Sequence, residues 1–474
     1  MSQQAIVRSE ATGKLPWSRV VGYACGDAGC NVAFQMTGLF LLIYYTDVAG
    51  LSAADAAGII GFVKLWDAFA DIFAGRMVDR TMTRWGKFRP FILWFSFPLL
   101  ATNLLAFYVP DFANYGAKLA WGYVTYALTG TLYSLVNIPF GSLAGAMTQE
   151  PAERSKLAGA RMVGSGFTIL VLAVLLAPRL KSASDLQSTF LITAAVFVVV
   201  GMAFFMTLFF TAKEVVHREV AQVTVKQTIQ TVTKNGPLAR LCLSSLFYLT
   251  AQNVIGAIVI YYARDYLAGP ALLLTVVTIV TTGAVLYVGP FGPLVTKTLG
   301  KKRGFVIACG AAIVGGLIVL VAGRNIPVAL LGLFVTGVGM ALLNTMTWAL
   351  EADTVEYGEW KTHIRTEGAT YAAFSFTRKV GQAIGGALVG AALGYFGYVS
   401  AAKGSKPPPQ SEATLNGIHL TISLLPSAIF LGALLIMATY PLTEQRHAEI
   451  MQEIRDRRIR AAAEEVGVAE GSAR

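Results

Sequence analysis

Charge is the scarcest ingredient of this chain: Asp, Glu, Lys and Arg make up 14% of its 474 residues, while 55% are hydrophobic. Soluble domains carry about a quarter charged residues, so an ordinary water-soluble fold is excluded. Cysteine is also scarce. Cys25, Cys30, Cys242 and Cys309 all fall in apolar segments, without a CxxC pair or a Cys/His cluster at metal spacing, which leaves helix packing as their role. The four histidines (His217, His363, His419 and His447) fall in loops or at segment ends, and none joins a Ser or Cys in a catalytic motif. No GxxxxGK[ST] loop is present to cradle nucleotide phosphates, so neither an enzyme nor an ATP-driven pump is read here. The first sixteen residues lack a charged-then-apolar leader, and no signal peptide is expected.

Long apolar runs are what the chain has in abundance. Twelve helix-length segments are read near 18–46, 51–78, 89–109, 116–147, 157–177, 187–211, 236–264, 270–296, 303–322, 326–350, 368–397 and 415–440. The longest of them must tilt or run past the bilayer surface. A net charge of +11 invites a nucleic-acid reading, but the basic residues gather at alternate loops: Arg80, Arg84, Lys87 and Arg89; Lys213, Arg218, Lys226 and Lys234; Lys297, Lys301, Lys302 and Arg303; then the tail. This positive-inside pattern is that of a multi-pass membrane protein with both termini cytoplasmic, the lipid bilayer as its partner and no nucleic acid. The polar stretch 212–236 divides the segments into two groups of six, and a basic loop follows the second segment of each group. The expected fold is all-α: twelve transmembrane helices in two pseudo-symmetric six-helix bundles, the architecture of the major facilitator transporters. The domains would be an N-terminal bundle (1–211), a central cytoplasmic loop (212–236), a C-terminal bundle (237–443) and a cytoplasmic tail (444–474). The tail reads as a short, charged, solvated helix.

Against this apolar background a few polar residues stand out. Asp67 and Asp71 share one face of the second segment, four residues apart, with Lys64 one turn earlier. A single carboxylate in a bilayer core costs about 3 kcal/mol on the lowest estimates, so such residues mark ion paths, proton relays or ion pairs. Asp27 and Asn31 repeat the spacing on the first segment. Tyr133, Ser134 and Asn137 lie on the fourth, Arg161 on the fifth, Tyr248 on the seventh, Trp348 on the tenth, and Arg378 and Lys379 on the eleventh. These should face a shared interior. Plainer readings stand beside the functional one: Asp67 with Lys64 as a helix-orienting salt bridge, the amides and Ser134 as interhelical glue, Arg161 as a snorkelling cation, and the aromatics as packing.

Four stretches carry a resemblance: GDAGCNVAFQMTGLFLLIYYTDVAGL (26–51), WDAFADIFAGRMVDRTMTRWGKFRPF (66–91), YSLVNIPFGSLAGAMTQ (133–149) and WALEADTVEYGEWKTHIRTEGATYAAFSFTRKVGQAIGGA (348–387). With them the chain resembles, over nearly its whole length, the glycoside–pentoside–hexuronide:cation symporter family. That resemblance implies cation-coupled sugar uptake by alternating access. In the family's melibiose-carrying members two acids on helix two hold the coupling cation; these match Asp67 and Asp71, and a hydroxyl matching Ser134 completes the site. An amide lies between those acids in the melibiose carriers, where this chain has Ala70. The change removes a neutral oxygen ligand for sodium and favours a proton, which needs only one carboxyl. The sugar-liganding acids match Asn31 and Asn137, both neutral here, whereas the helix-five arginine and helix-eleven lysine match Arg161 and Lys379. Two acids lost and two cations kept suit an anionic sugar. Asp27, Tyr248 and Trp348 are further expected pocket residues, the last two as stacking platforms. Asp79, Arg80 and Arg84 are expected in a gate-stabilising charge network.

The reading is a proton-coupled symporter that imports a glucuronide or related glycoside. It calls for no cofactor beyond the coupling cation, and Asp67 and Asp71 are metal ligands only if that cation is sodium. Three rivals remain: a sodium-coupled symporter for a neutral glycoside such as a xyloside, a lipid-carrying member of the same fold, which should need an apolar cavity in place of the amides, and a non-transporting membrane sugar sensor. Against the sensor stands a tail of only about thirty residues.

Overall fold

In hydrocarbon, an apolar run can satisfy its own backbone only as a helix. The computed structural model describes residues 14–457 apart from 111, 113, 149–150, 177, 183–184, 216–233, 363–366, 401–407 and 455; among them the only β feature is an isolated bridge between Thr83 and Gly86. The main helices are α1 (Trp17–Asp47), α2 (Ala53–Arg80), α3 (Arg89–Ala106), α4 (Tyr115–Met147), α5 (Pro151–Leu175) and α6 (Leu186–Thr211). After the central loop come α7 (Gly236–Tyr261, continued by a π turn Tyr262–Tyr266), α8, α9 (Lys301–Ala322), α10 (Ile326–Thr362), α11 (Glu367–Tyr395) and α12 (Glu412–Ala438). α8 is broken into Ala271–Thr281, Ala284–Val288 and Gly292–Leu299 around a 3-10 turn at Gly289–Phe291, where glycines and prolines interrupt the ladder.

Among the described residues seven helices, α1, α3, α6, α7, α9, α10 and α12, are long and apolar enough to cross a membrane. The charges Lys64, Asp67, Asp71, Arg161, Arg378 and Lys379 all sit on helices outside that set: α2, α5 and α11. Helix starts are set locally. Ser52, Asn114, Asp185, Asn235 and Ser411 each accept a first-turn backbone N–H of α2, α4, α6, α7 and α12, a contribution of about 1 kcal/mol apiece.

The helices pack as two bundles. In the first, α1 lies on α5 and α6, α2 on α4, and α3 on α4 and α6. In the second, α7 lies on α11 and α12, α8 on α10, and α9 on α10 and α12. Adding six to each index converts the first set into the second, as expected of a structural repeat. Between the bundles α2 runs antiparallel to α11, α1 meets α7, and α5 meets α8. The α2–α11 approach needs a residue without a side chain: a Cβ on Gly390 would fall 1.9 Å from Cβ of Ala57. Both ends of the described chain lie on one side of the molecule, Leu15 donating to Glu153 (3.1 Å) and Lys301 donating to Glu444.

At the opposite end the bundles are joined by a buried polar seal. The π turn after α7 presents Arg264, which pairs with Asp47 at the end of α1 and with its neighbour Asp265 (2.7 Å). Tyr398 donates to Asp47 (3.0 Å) and accepts from Arg264 (2.7 Å), and Thr46 meets Tyr261 at 3.0 Å. Among the described residues, every hydrogen bond or ion pair between the bundles lies toward this end or at Lys379, and none joins the terminus-bearing ends of the helices.

The tail departs from the sequence expectation. Residues 444–454 form a helix seated on the C-terminal bundle, with Ile450 and Ile454 buried in its core, so this segment is docked and not solvated. Trp360 donates to Glu453 (2.6 Å), and His447 Nε2 lies 2.5 Å from Glu356. The Glu356 hydrogen bond raises the His447 pKa above its ordinary value. Its contribution to docking is therefore complete below about pH 6.5 and is lost as pH climbs through the raised value. Backbone hydrogen exchange of residues 444–454 is expected to quicken at alkaline pH, and the His447→Ala variant should show the fast exchange at every pH. Protection that is flat from about pH 6 to about pH 9 would refute the role of His447.

Candidate functional site

The i, i+4 spacing on α2 turns Asp67 and Asp71 toward α4, where Gly130 and Ser134 repeat it. Ser134 Oγ donates to Asp71 Oδ1 (2.6 Å), and Lys379 Nζ of α11 reaches Asp71 Oδ2 (2.6 Å) and the backbone carbonyl of Asp67 (2.7 Å). Both Asp71 oxygens are thus taken. Asp67 is more deeply buried and differs: Lys64 stands 3.8 Å from its Oδ2, while its Oδ1 has no hydrogen-bond partner. Asp67 and Lys64 line a small cavity together with Phe34, Tyr126, Gly130 and Tyr133. Lys64 Nζ lies 5.1 Å from the Phe34 ring centroid and 5.8 Å from that of Tyr126, so the aromatic faces share its charge.

Gly130 makes this arrangement possible, and nothing in the sequence marked it. A Cβ there would sit 1.8 Å from Asp67 Oδ1. Gly130→Ala is therefore expected to cut uphill accumulation by about tenfold, or about 1.4 kcal/mol at the loaded step, with membrane content unchanged. Undiminished accumulation by that variant would mean the Asp67 oxygen is not used.

A second cluster spans α1 and α5. Arg161 Nε donates to Asp27 Oδ1 (2.9 Å), and Asn31 Nδ2 donates to Asp27 Oδ2 (2.9 Å). Ser165 donates to Asn31 Oδ1 (3.2 Å), and the Arg161 guanidinium rests 5.0 Å from the Phe140 ring centroid. Asn137 is half-buried on α4, three residues before Phe140. Asn31, Asp27 and Arg161 therefore come together, whereas Lys379 belongs with the two helix-two acids and not with Arg161.

Two sequence expectations change. Tyr248 is 2% exposed and packed edge-on against Phe305, so it offers no ring face to a ligand. Its long apolar neighbourhood turned it into the bundle core. Trp348 is open, its indole N–H donating to Asn344 (3.0 Å) and its ring edge-on to Phe374. In the expected gate, the side chain of Asp79 lies outside the described residues, Arg80 is exposed, and Arg84 stacks on Trp85 (4.5 Å). The residue organising that loop is Glu214, which sequence reasoning missed. Its carboxylate accepts the backbone N–H groups of Lys87, Phe88 and Arg89 at 2.8–2.9 Å, and so caps α3 from across the bundle.

Two related bundles with paired charges in their shared interior define a multi-pass membrane transporter. A family model described as MFS/sugar transport protein matches residues 22–444, and the chain belongs to that family: it is a membrane sugar transporter and not an enzyme. It is 40% identical over 448 residues to the glucuronide carrier protein homolog of Escherichia coli (strain K12), covering 94% of this chain and 97% of that one. It is 31% identical over 421 residues to the isoprimeverose transporter of Lactiplantibacillus pentosus, covering 87% and 86%. Among solved structures, a D-xylose-proton symporter superposes with a TM-score of 0.64 at 14% identity over 90% of this chain and 98% of that one, a likeness of fold alone.

Proposed function

We propose that the protein is a proton-coupled symporter of the bacterial inner membrane that imports a glucuronide or related anionic glycoside by alternating access. The observation that carries the coupling is the asymmetry of the two acids. Asp71 is saturated by Ser134 and Lys379, while Asp67 keeps one buried oxygen unpartnered. A lone acceptor costs about 1–3 kcal/mol, and a proton relieves that cost without further ligands. A sodium ion would need several oxygens, and those of Asp71 are already held, Oδ1 by the Ser134 hydroxyl and Oδ2 by the Lys379 ammonium. With both termini cytoplasmic, the polar seal closes the outer end, and the pocket opens inward. Asn31, Asn137 and Arg161 serve the sugar from the N-terminal bundle, with Trp348 facing them from the other.

The test is accumulation and counterflow of labelled glucuronide in proteoliposomes. Uptake should follow an imposed pH gradient and change less than about twofold when sodium replaces potassium at constant pH. Strong sodium stimulation would overturn the proton assignment. The likeness to the isoprimeverose transporter favours a second reading, an uncharged glycoside as cargo. A wild-type carrier that takes a glucoside as well as the matching glucuronide would establish it.

A further inference from the structure

We propose that Arg378 is the residue of the C-terminal bundle that receives the anionic group of the substrate, and that Glu351 is the counter-ion it relinquishes on binding. This rests on the anionic-glycoside reading above. Besides Arg264 at the seal, four cations among the described residues lie mid-helix on α2, α5 and α11 and are at least half-buried. Lys64 stands beside Asp67, Arg161 holds Asp27, and Lys379 holds Asp71. Arg378, the residue before Lys379 on α11, is half-buried and makes no ion pair or side-chain hydrogen bond among the described residues. Its neighbour Lys379 reaches Asp71 and the Asp67 carbonyl across the seam between the bundles, so Arg378 stands on α11 at the level of the two helix-two acids. It follows Phe374 by one turn, and the Phe374 ring meets that of Trp348 on α10 (5.7 Å between centroids).

Glu351 is the matching oddity. It is 6% exposed, and its Oε2 is buried without a hydrogen-bond partner. It follows Trp348 by three residues, which puts it on the same face of α10, the one whose indole meets Phe374 of α11. Arg378 and Glu351 thus stand on adjacent helices, each about one turn from the Trp348–Phe374 contact and neither in a tight ion pair among the described residues. Each retains bonding capacity that a tight pair would have used. A guanidinium takes a carboxylate or sulfonate through two parallel N–H···O bonds, so an incoming anion gains contacts that Glu351 does not make. Arg161 is a weaker receptor because Asp27 already holds it at 2.9 Å, and Lys379 is weaker still with two oxygens at 2.6–2.7 Å. On the same side of the pocket Trp348 and Phe374 supply an apolar wall for the sugar ring.

The experiment is counterflow by the full-length protein in proteoliposomes, with 4-nitrophenyl β-glucuronide and 4-nitrophenyl β-glucoside compared in each variant. Arg378→Gln should raise the half-saturation constant for the glucuronide about tenfold or more and leave that for the glucoside within about twofold. Arg378→Lys should fall between, keeping charge but losing the two-pronged geometry. Glu351→Gln should lower the glucuronide constant severalfold and leave the glucoside constant unchanged, since it removes only the competing anion. Equal losses for both sugars in Arg378→Gln and Arg378→Lys, or an unchanged glucuronide constant in Glu351→Gln, would overturn the proposal. If Arg161→Gln abolishes a wild-type preference for the glucuronide and Arg378→Gln does not, this assignment fails while the anionic-cargo reading stands. A wild-type carrier without that preference sinks the anionic-cargo reading itself, and this inference with it.

Discussion

Replacing Asp67 with Asn is expected to abolish concentrative uptake, bringing the internal-to-external ratio of substrate down to about one, while exchange of substrate across the membrane continues. An amide is nearly isosteric with the carboxyl and fits beside Gly130, but it cannot pick up a proton on one side and release it on the other. Without a site whose occupancy is linked to that of the sugar, the pH gradient has no hold on the cargo. Asp71→Asn should behave differently. It leaves Lys379 without its 2.6 Å partner, so slower exchange as well as weaker accumulation is expected. The decisive measurement is accumulation against a gradient beside counterflow in the same vesicles. An Asp67→Asn carrier that still concentrates substrate would make the acid a structural one.

The second large effect is expected at the seal. Arg264→Gln strands the buried Asp47 carboxylate that pairs with it across the two bundles. Removing one partner of a buried pair costs about 3–5 kcal/mol, and here the loss falls only on the state in which the bundles meet at this end. A shift of that size moves the conformational equilibrium by roughly two to four orders of magnitude toward opening. A cysteine introduced at Ala49, which is 2% exposed beside the seal, should go from nearly inert to readily alkylated from the outside. Unaltered labelling would mean that the α2–α11 contact, and not the ion pair, holds this end shut.

Much of this arrangement was legible in the chain because it is local. The i, i+4 acids, the hydroxyl on the fourth segment, the amide after Asp27 and the alternation of basic loops each follow from spacing along one helix. What was not legible depends on contacts between distant segments. Lys379 could be assigned to its helix but not to its partner, since the Asp67 carbonyl is 312 residues away. Tyr248 in an apolar run looks the same in sequence whether it faces a pocket or Phe305. Gly130 leaves no trace because its contribution is the space it does not fill. The docked tail did leave one: Ile450 and Ile454, four residues apart in a charged helix, form a stripe that only a partner surface explains.

The pairing of charges in the pocket has an energetic corollary. Among the described residues Asp27, Asp67, Asp71 and Glu351 face Lys64, Arg161, Arg378 and Lys379, as many of one sign as of the other. A transmembrane voltage does work only on net charge that moves, about 2.3 kcal/mol per elementary charge for each 100 mV. The empty pocket offers it none, and a monovalent sugar anion that enters with one proton adds none. Such a carrier draws on the acidity difference across the membrane and is indifferent to its electrical polarity, so a potassium diffusion potential should leave its accumulation ratio where it was.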